Sequence, residues 1–116
     1  MTIAVPVPDS TWIDVCGLDD LVPGRGVAAL VGGEQIAVFL LADGSVVAVD
    51  NLDPFSGANV LARGIVGSSG DVVTLASPIY KQRFDLRTGR CLDDDDVCIA
   101  TFGVRVHDAR IEIALG

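Results

Sequence analysis

Short runs in which apolar and polar residues alternate fill most of this chain, and glycine, proline or Asp-Gly pairs separate them. At 11–16, Trp12, Asp14 and Cys16 fall on one side of an extended segment and Ile13 and Val15 on the other, which predicts a strand with Trp12 at the edge of the core. A connector over 17–26 holds one helical turn at 18–21, closed by Pro23-Gly24. Runs at 27–31, 35–41 and 45–49 predict a three-stranded meander. Gly32-Gly33 and Ala42-Asp43-Gly44 supply its turns, because glycine accepts the positive φ of tight hairpins. The densest apolar patch, 38–41, stops at Asp43-Gly44. Residues 60–63 read as a helical turn or extended chain, and Gly64, Gly67 and Ser68-Ser69-Gly70 read as a break. Strands follow at 71–75 and 83–86. The chain closes with a hairpin of 103–108 and 109–115, where Val104 and Val106 flank Arg105, and Ile111, Ile113 and Leu115 alternate with Glu112 and Ala114. Pro6 and Pro8 exclude a helix from 1–10, which reads as an extended arm before a single domain at 11–116. The pattern predicts an all-β antiparallel sandwich or barrel of about nine or ten short strands with almost no helix.

Composition narrows the function classes. The 116 residues suffice for one domain, and a chain of that size buries roughly 65% of its extended surface without metals or disulfides. Half the residues are hydrophobic and the mean hydropathy is +0.51, which implies either a two-sheet core or an apolar face covered by a partner. The net charge of −8 and pI near 4.2 argue against nucleic acid and anionic membranes as partners. The opening residues lack the basic start and apolar stretch of a signal peptide, and no run reaches membrane-spanning length, so a cytoplasmic location is expected. Cys16, Cys91 and Cys98 then read as reduced, buried or half-buried thiols, and His107 as a turn residue. The Asp93-Asp94-Asp95-Asp96 run reads as a solvated loop, because it lacks the spacing, the glycine turn and the distal Glu of a calcium site. Nothing joins the single His to a Ser or Cys nucleophile, and the glycines at 22–26 lack the Gly-Lys-Ser/Thr of a phosphate loop, so no catalytic site is expected.

The stretch 50–84 carries the most specific signal. Asp53-Pro54-Phe55 and Ser77-Pro78-Ile79-Tyr80 are separated by a linker, and the second runs into Lys81-Gln82-Arg83-Phe84-Asp85-Leu86-Arg87-Thr88-Gly89. This arrangement resembles the cluster-binding half of a Rieske iron–sulfur domain. In that family a Cys-Pro-His loop and a Cys-Pro-x-His loop, at one end of antiparallel sheets, hold two irons through two Cys and two His. Here Asp53 and Ser77 stand at the Cys positions, and Phe55 and Tyr80 at the His positions. Phe has no donor atom, and protonated Ser and Tyr are poor ligands, so no metal or cofactor is expected in this chain.

Together with the opening Trp12-Ile13-Asp14-Val15-Cys16 and the stretch 32–39, these loops make the chain similar to the small subunits of assimilatory NADH-dependent nitrite reductases, from Trp12 to about Leu115. The resemblance implies a cytoplasmic, cofactor-free, non-catalytic partner of a large subunit that carries FAD, an iron–sulfur cluster and sirohaem and reduces nitrite to ammonium. A Rieske-type ferredoxin with an unorthodox cluster and a free-standing binding or regulatory module are the alternatives. Phe55, Ile79, Tyr80 and Lys81 are candidate residues of a face that docks the large subunit. In the opposing reading, Phe55 and Tyr80 turn inward and fill the space a cluster would take. Asp53 and Ser77, if the loops meet, can hydrogen-bond across them. Arg83, Phe84 and Asp85 read as stabilising the strand after the second loop.

Overall fold

The apolar run at 36–39 is buried on both faces. Ile36, Ala37, Val38 and Phe39 are all 0% exposed, and they alternate between two separate hydrophobic clusters. They lie on a strand, Glu34–Leu40, that forms the wall between two cores, which is why this run shows no polar alternation. The computed structural model describes residues 2–5 and 12–114. Ten strands run through them: β1 (Thr2–Val5), β2 (Trp12–Gly17), β3 (Gly26–Val31), β4 (Glu34–Leu40), β5 (Val46–Asp50), β6 (Ile65–Ser69), β7 (Val72–Ala76), β8 (Arg83–Asp85), β9 (Thr101–His107) and β10 (Arg110–Ala114). Among the described residues, helix is limited to single 3-10 turns at Leu18–Asp20 and Leu61–Arg63.

Seven strands form one sheet in the order β1-β3-β4-β5-β9-β10-β2, and its end strands approach each other, so the sheet is a nearly closed barrel. The predicted meander is its β3-β4-β5 part. The Gly32-Gly33 turn has φ of 57° and 83°, the left-handed pair that a two-residue hairpin requires. A smaller sheet, β6-β7-β8, packs against the other side of the β4–β5 wall. One core fills the barrel, with Ile36, Val38, Ala48, Ile111 and Ile113 among its residues. The other lies between the sheets, around Phe39, Val49, Leu61, Leu75, Phe84 and Leu86. Two cores sharing one wall account for the high hydropathy.

The structure departs from the expected pattern in four places. The segment read as an arm contributes β1, which pairs parallel with β3 from Thr2↔Ala28 to Val5↔Val31, whereas every other strand pairing is antiparallel. The segment read as a break at 64–70 is largely β6, an edge strand that needs only backbone hydrogen bonds to β7 and tolerates Gly67 and two serines. Cys16 is buried with Ile13 and Val15 and does not share the face of Asp14, because a register shift between Ile111 and Glu112 inserts an extra β2 residue and resets the alternation. Cys98, expected to be at least half-buried, is exposed beside the acidic loop, whereas Cys16 and Cys91 are buried. Pro6, Pro8, Thr11 and Leu115 lie outside the described residues.

Candidate functional site

β5 and β7 deliver the two Pro-bearing loops to the same end of the molecule. As β5 ends, the buried Asn51 side chain donates to the Asn59 carbonyl (3.2 Å) and accepts from the Ala62 N–H (2.7 Å). The Asn51 backbone carbonyl also takes the Leu61 N–H (3.0 Å), so the 3-10 turn at Leu61–Arg63 is tied to the root of the first loop. That loop closes on itself through the Leu52↔Asn59 bridge and the Asp53 N–H to the Ala58 carbonyl (2.9 Å). The second loop leaves β7 at Ser77. Its N–H donates to the Gln82 carbonyl (2.9 Å), and its own carbonyl accepts from the Lys81 N–H (3.1 Å).

Asp53 and Ser77 join the loops. Ser77 Oγ donates to Asp53 Oδ2 at 2.6 Å, with Asp53 0% and Ser77 1% exposed. Asp53 also accepts from Ser56 Oγ (3.1 Å) and from the Phe55 N–H (3.0 Å), and Ser77 Oγ accepts from the Ile79 N–H (3.2 Å). The buried carboxyl group therefore has its partners, as a buried polar group must. Each side chain also folds its own loop by bonding the N–H two residues on, the local geometry that Asp and Ser favour in turns. The expected hydrogen bond across the loops is present.

The two aromatic positions diverge. Phe55 is half-buried and tilts against the fully buried Phe84, with ring centroids 6.2 Å apart. Tyr80 is 60% and Ile79 45% exposed, and Lys81 is exposed with φ of 65°, a left-handed conformation unusual for a lysine. Of the two residues that the filling reading turns inward, Phe55 is half-buried and Tyr80 is exposed. Arg83 sits at the start of β8 and is clamped by Asp93. The carboxylate accepts from the Arg83 backbone N–H (2.8 Å) and guanidinium (3.2 Å), so the acidic run has a structural use beyond solvation. Those hydrogen bonds, backed by the guanidinium charge, hold the Asp93 carboxyl below its ordinary range.

The donor chemistry of the four ligand-equivalent positions does not fit a [2Fe–2S] cluster. Asp53 and Ser77 bond each other across the loops, Phe55 offers only a ring packed on Phe84, and the Tyr80 phenol points to solvent. No thiolate and no imidazole stands at these positions. Among the described residues, no group of three or more His, Cys, Asp or Glu side chains could hold a metal ion. Elsewhere, burial foremost, with Asp20 and Asp14 adding to it and Arg110 opposing, pushes the Cys16 thiol up, away from reactivity. A cavity of about 230 Å³ beside the first loop is lined by Asn51, Gln35, Asn59 and Arg63 among others. Sequence reasoning missed Asn51, Ser56 and Leu52. The Asp-x-x-Ser spacing of 53–56 is the one signal that pointed to Ser56, whereas nothing in the pattern separates Asn51 from an ordinary turn residue.

The family model for the Rieske-like [2Fe–2S] domain matches residues 11–114. The NADH nitrite reductase small subunit of Salmonella typhimurium is 40% identical over 105 residues, which span 90% of this chain and 97% of that protein. A solved structure from Mycobacterium tuberculosis, assigned as an NADH-dependent nitrite reductase small subunit, is 50% identical. It covers 90% of this chain and 95% of its own, and superposes with a TM-score of 0.88. The nitrite reductase [NAD(P)H] large subunit of Klebsiella oxytoca contains a stretch 39% identical to 105 residues of this chain, spanning 90% of this chain but only 11% of that larger protein. No helix among the described residues is long and apolar enough to cross a membrane. The chain belongs to the Rieske-like [2Fe–2S] domain family and, within it, to the small subunits of NADH nitrite reductase.

Proposed function

We propose that this chain is the small subunit of a cytoplasmic NADH-dependent nitrite reductase and works without a cofactor of its own, bound to a large subunit. On this reading the large subunit carries FAD, an iron–sulfur cluster and sirohaem and reduces nitrite to ammonium for assimilation. The small subunit contributes a shaped surface and holds no catalytic group. The observation that carries the proposal is the loop pair: its ligand-equivalent positions are closed by the buried Ser77–Asp53 hydrogen bond of 2.6 Å, where a cluster-binding domain needs four metal donors. A fold built to display a redox centre, but braced by oxygen-to-oxygen hydrogen bonds, is suited to recognition. The partner assignment is supported by the Klebsiella oxytoca large subunit, in which a stretch equivalent to this chain is part of the larger polypeptide. That a relative carries both modules in one polypeptide supports their association where they are separate chains.

Co-expression of this chain with the large subunit of the same organism tests the proposal. A co-purifying complex with faster nitrite-dependent NADH oxidation than the large subunit alone is expected, and the isolated chain should contain no iron and no visible absorption. An electron paramagnetic resonance signal from a reduced two-iron centre in the isolated chain would instead establish the ferredoxin alternative.

A further inference from the structure

Exposed apolar side chains gather at the loop end. The large hydrophobic side chains exposed among the described residues are Val22, Leu52, Ile65, Ile79, Tyr80 and Val106. Leu52 lies on the first loop and Ile79 and Tyr80 on the second. Ile65, 67% exposed, pairs with Ala76, the residue before Ser77. Three of the six thus sit on the two loops that the Asp53–Ser77 hydrogen bond joins, and Ile65 pairs with the residue before the second loop. Val106 lies toward the end of β9 remote from Thr101, which pairs with Val49 near the loops. Val22 precedes Pro23-Gly24-Arg25, which share surface depressions with Arg63, Gly64 and Val66, so it borders the Arg63 and Ile65 side of this patch.

Free cations also lie at this end. Four of the eight Lys and Arg side chains, Arg25, Arg63, Lys81 and Arg90, make no ion pair among the described residues; of these, Arg63 follows the tethered Ala62 and Lys81 closes the second loop. The acids nearby are engaged: Asp53 is buried, Asp50 accepts from the Leu52 N–H, and Asp93 is held by Arg83. An apolar patch with two free cations on an otherwise acidic molecule matches a partner with an apolar depression and an acidic rim.

We infer that Leu52, Ile65, Ile79 and Tyr80, flanked by Arg63 and Lys81, form the face that docks onto the nitrite reductase large subunit. This rests on the small-subunit reading and deepens it. Phe55, grouped with this face from sequence, is half-buried against Phe84 and lies at its inner edge. Leu52, Ile65 and Arg63 join it on the strength of exposure and topology.

The test measures affinity between the full-length chain and the co-expressed, cofactor-loaded large subunit. Wild type is compared with Ile79→Asp/Tyr80→Asp, with Arg63→Glu/Lys81→Asp, and with the remote control Val106→Asp. The aspartate at 81 suits the left-handed backbone there better than most residues. The expected result is at least a tenfold loss for each loop-end variant, with unchanged circular dichroism and melting temperature, and near-wild-type binding by the control. Wild-type affinity should fall as salt rises, and the Arg63→Glu/Lys81→Asp variant should lose most of that dependence. If Ile79→Asp/Tyr80→Asp fails to fold, the charge variant and its salt slope decide the matter alone. Wild-type binding by the loop-end variants, or loss confined to the control, overturns this face while leaving the small-subunit reading intact. A wild-type chain that neither binds nor stimulates the large subunit overturns that reading instead.

Discussion

Asp53 bonds to three partners on two loops, and none of them is a cation. Such a group stays buried only while its hydrogen bonds are made, so the brace is sensitive to single-atom changes. Ser77→Ala removes the donor to Asp53 Oδ2 and the acceptor for the Ile79 N–H together. The expected loss is about 1–3 kcal/mol of unfolding free energy. Urea denaturation of the isolated chain measures it, with an unchanged m-value showing that the fold is kept. This brace was legible in the sequence, since two small polar residues, each followed by proline, occupied equivalent places in two loops. The fates of Phe55 and Tyr80 were not, because both are aromatic and hydrophobicity alone cannot orient a ring. The second loop reverses at Lys81, whose N–H returns to the Ser77 carbonyl, and Tyr80 stays on the outside of that bend.

At the scale of elements, the clear period-two segments became strands, while β6 and the β2 bulge were hidden. An edge strand of small residues shows no alternation to detect, and a bulge on β2 is set by its pairing with β10, which no local pattern contains. The acidic run was read correctly as exposed, but its link to β8 depends on a tertiary contact between Arg83 and Asp93. That link has a pH signature. Asp93 is held below its ordinary range by hydrogen bonds from the Arg83 side chain and backbone N–H, with the guanidinium charge assisting. A depressed folded-state pKa stabilises above the unfolded value of about 4, and the contribution disappears as pH falls through the folded one. Asp43, lowered by its Ser45 hydrogen bonds, acts in the same direction, so the comparison must be between variants. Denaturation midpoints from about pH 5 down to about pH 2 should fall less steeply for Asp93→Asn than for wild type. The difference should be small because both side chains are solvent-accessible. Parallel curves would show that the clamp does not contribute.

For the molecule as a whole, the question is what holds two loops in a cluster-binding posture when their side chains do not fit a cluster. Each loop is rooted in a strand of the shared architecture. β5 carries Val49 into the core between the sheets and leads to the first loop, and β7 carries Leu75 into the same core and leads to the second. Phe84, just beyond the second loop, is 0% exposed and supports the ring of Phe55. The loop end is thus anchored by apolar burial beneath and by hydrogen bonds between, and neither requires a metal. The architecture was readable from hydropathy and turn chemistry. The parallel placement of β1 was not, since a four-residue strand before a proline-bearing stretch carries no signal of its partner. If burial and hydrogen bonds alone fix this end, a strong iron chelator with a reductant should leave the melting temperature and the circular dichroism spectrum of the purified chain unchanged. A bound metal that favoured the native state would make the melting temperature drop on its removal, since a ligand of the folded form stabilises by mass action. A drop would therefore place a metal among the forces that hold the loops and would contradict the hydrogen-bond brace as the sole link between Asp53 and Ser77.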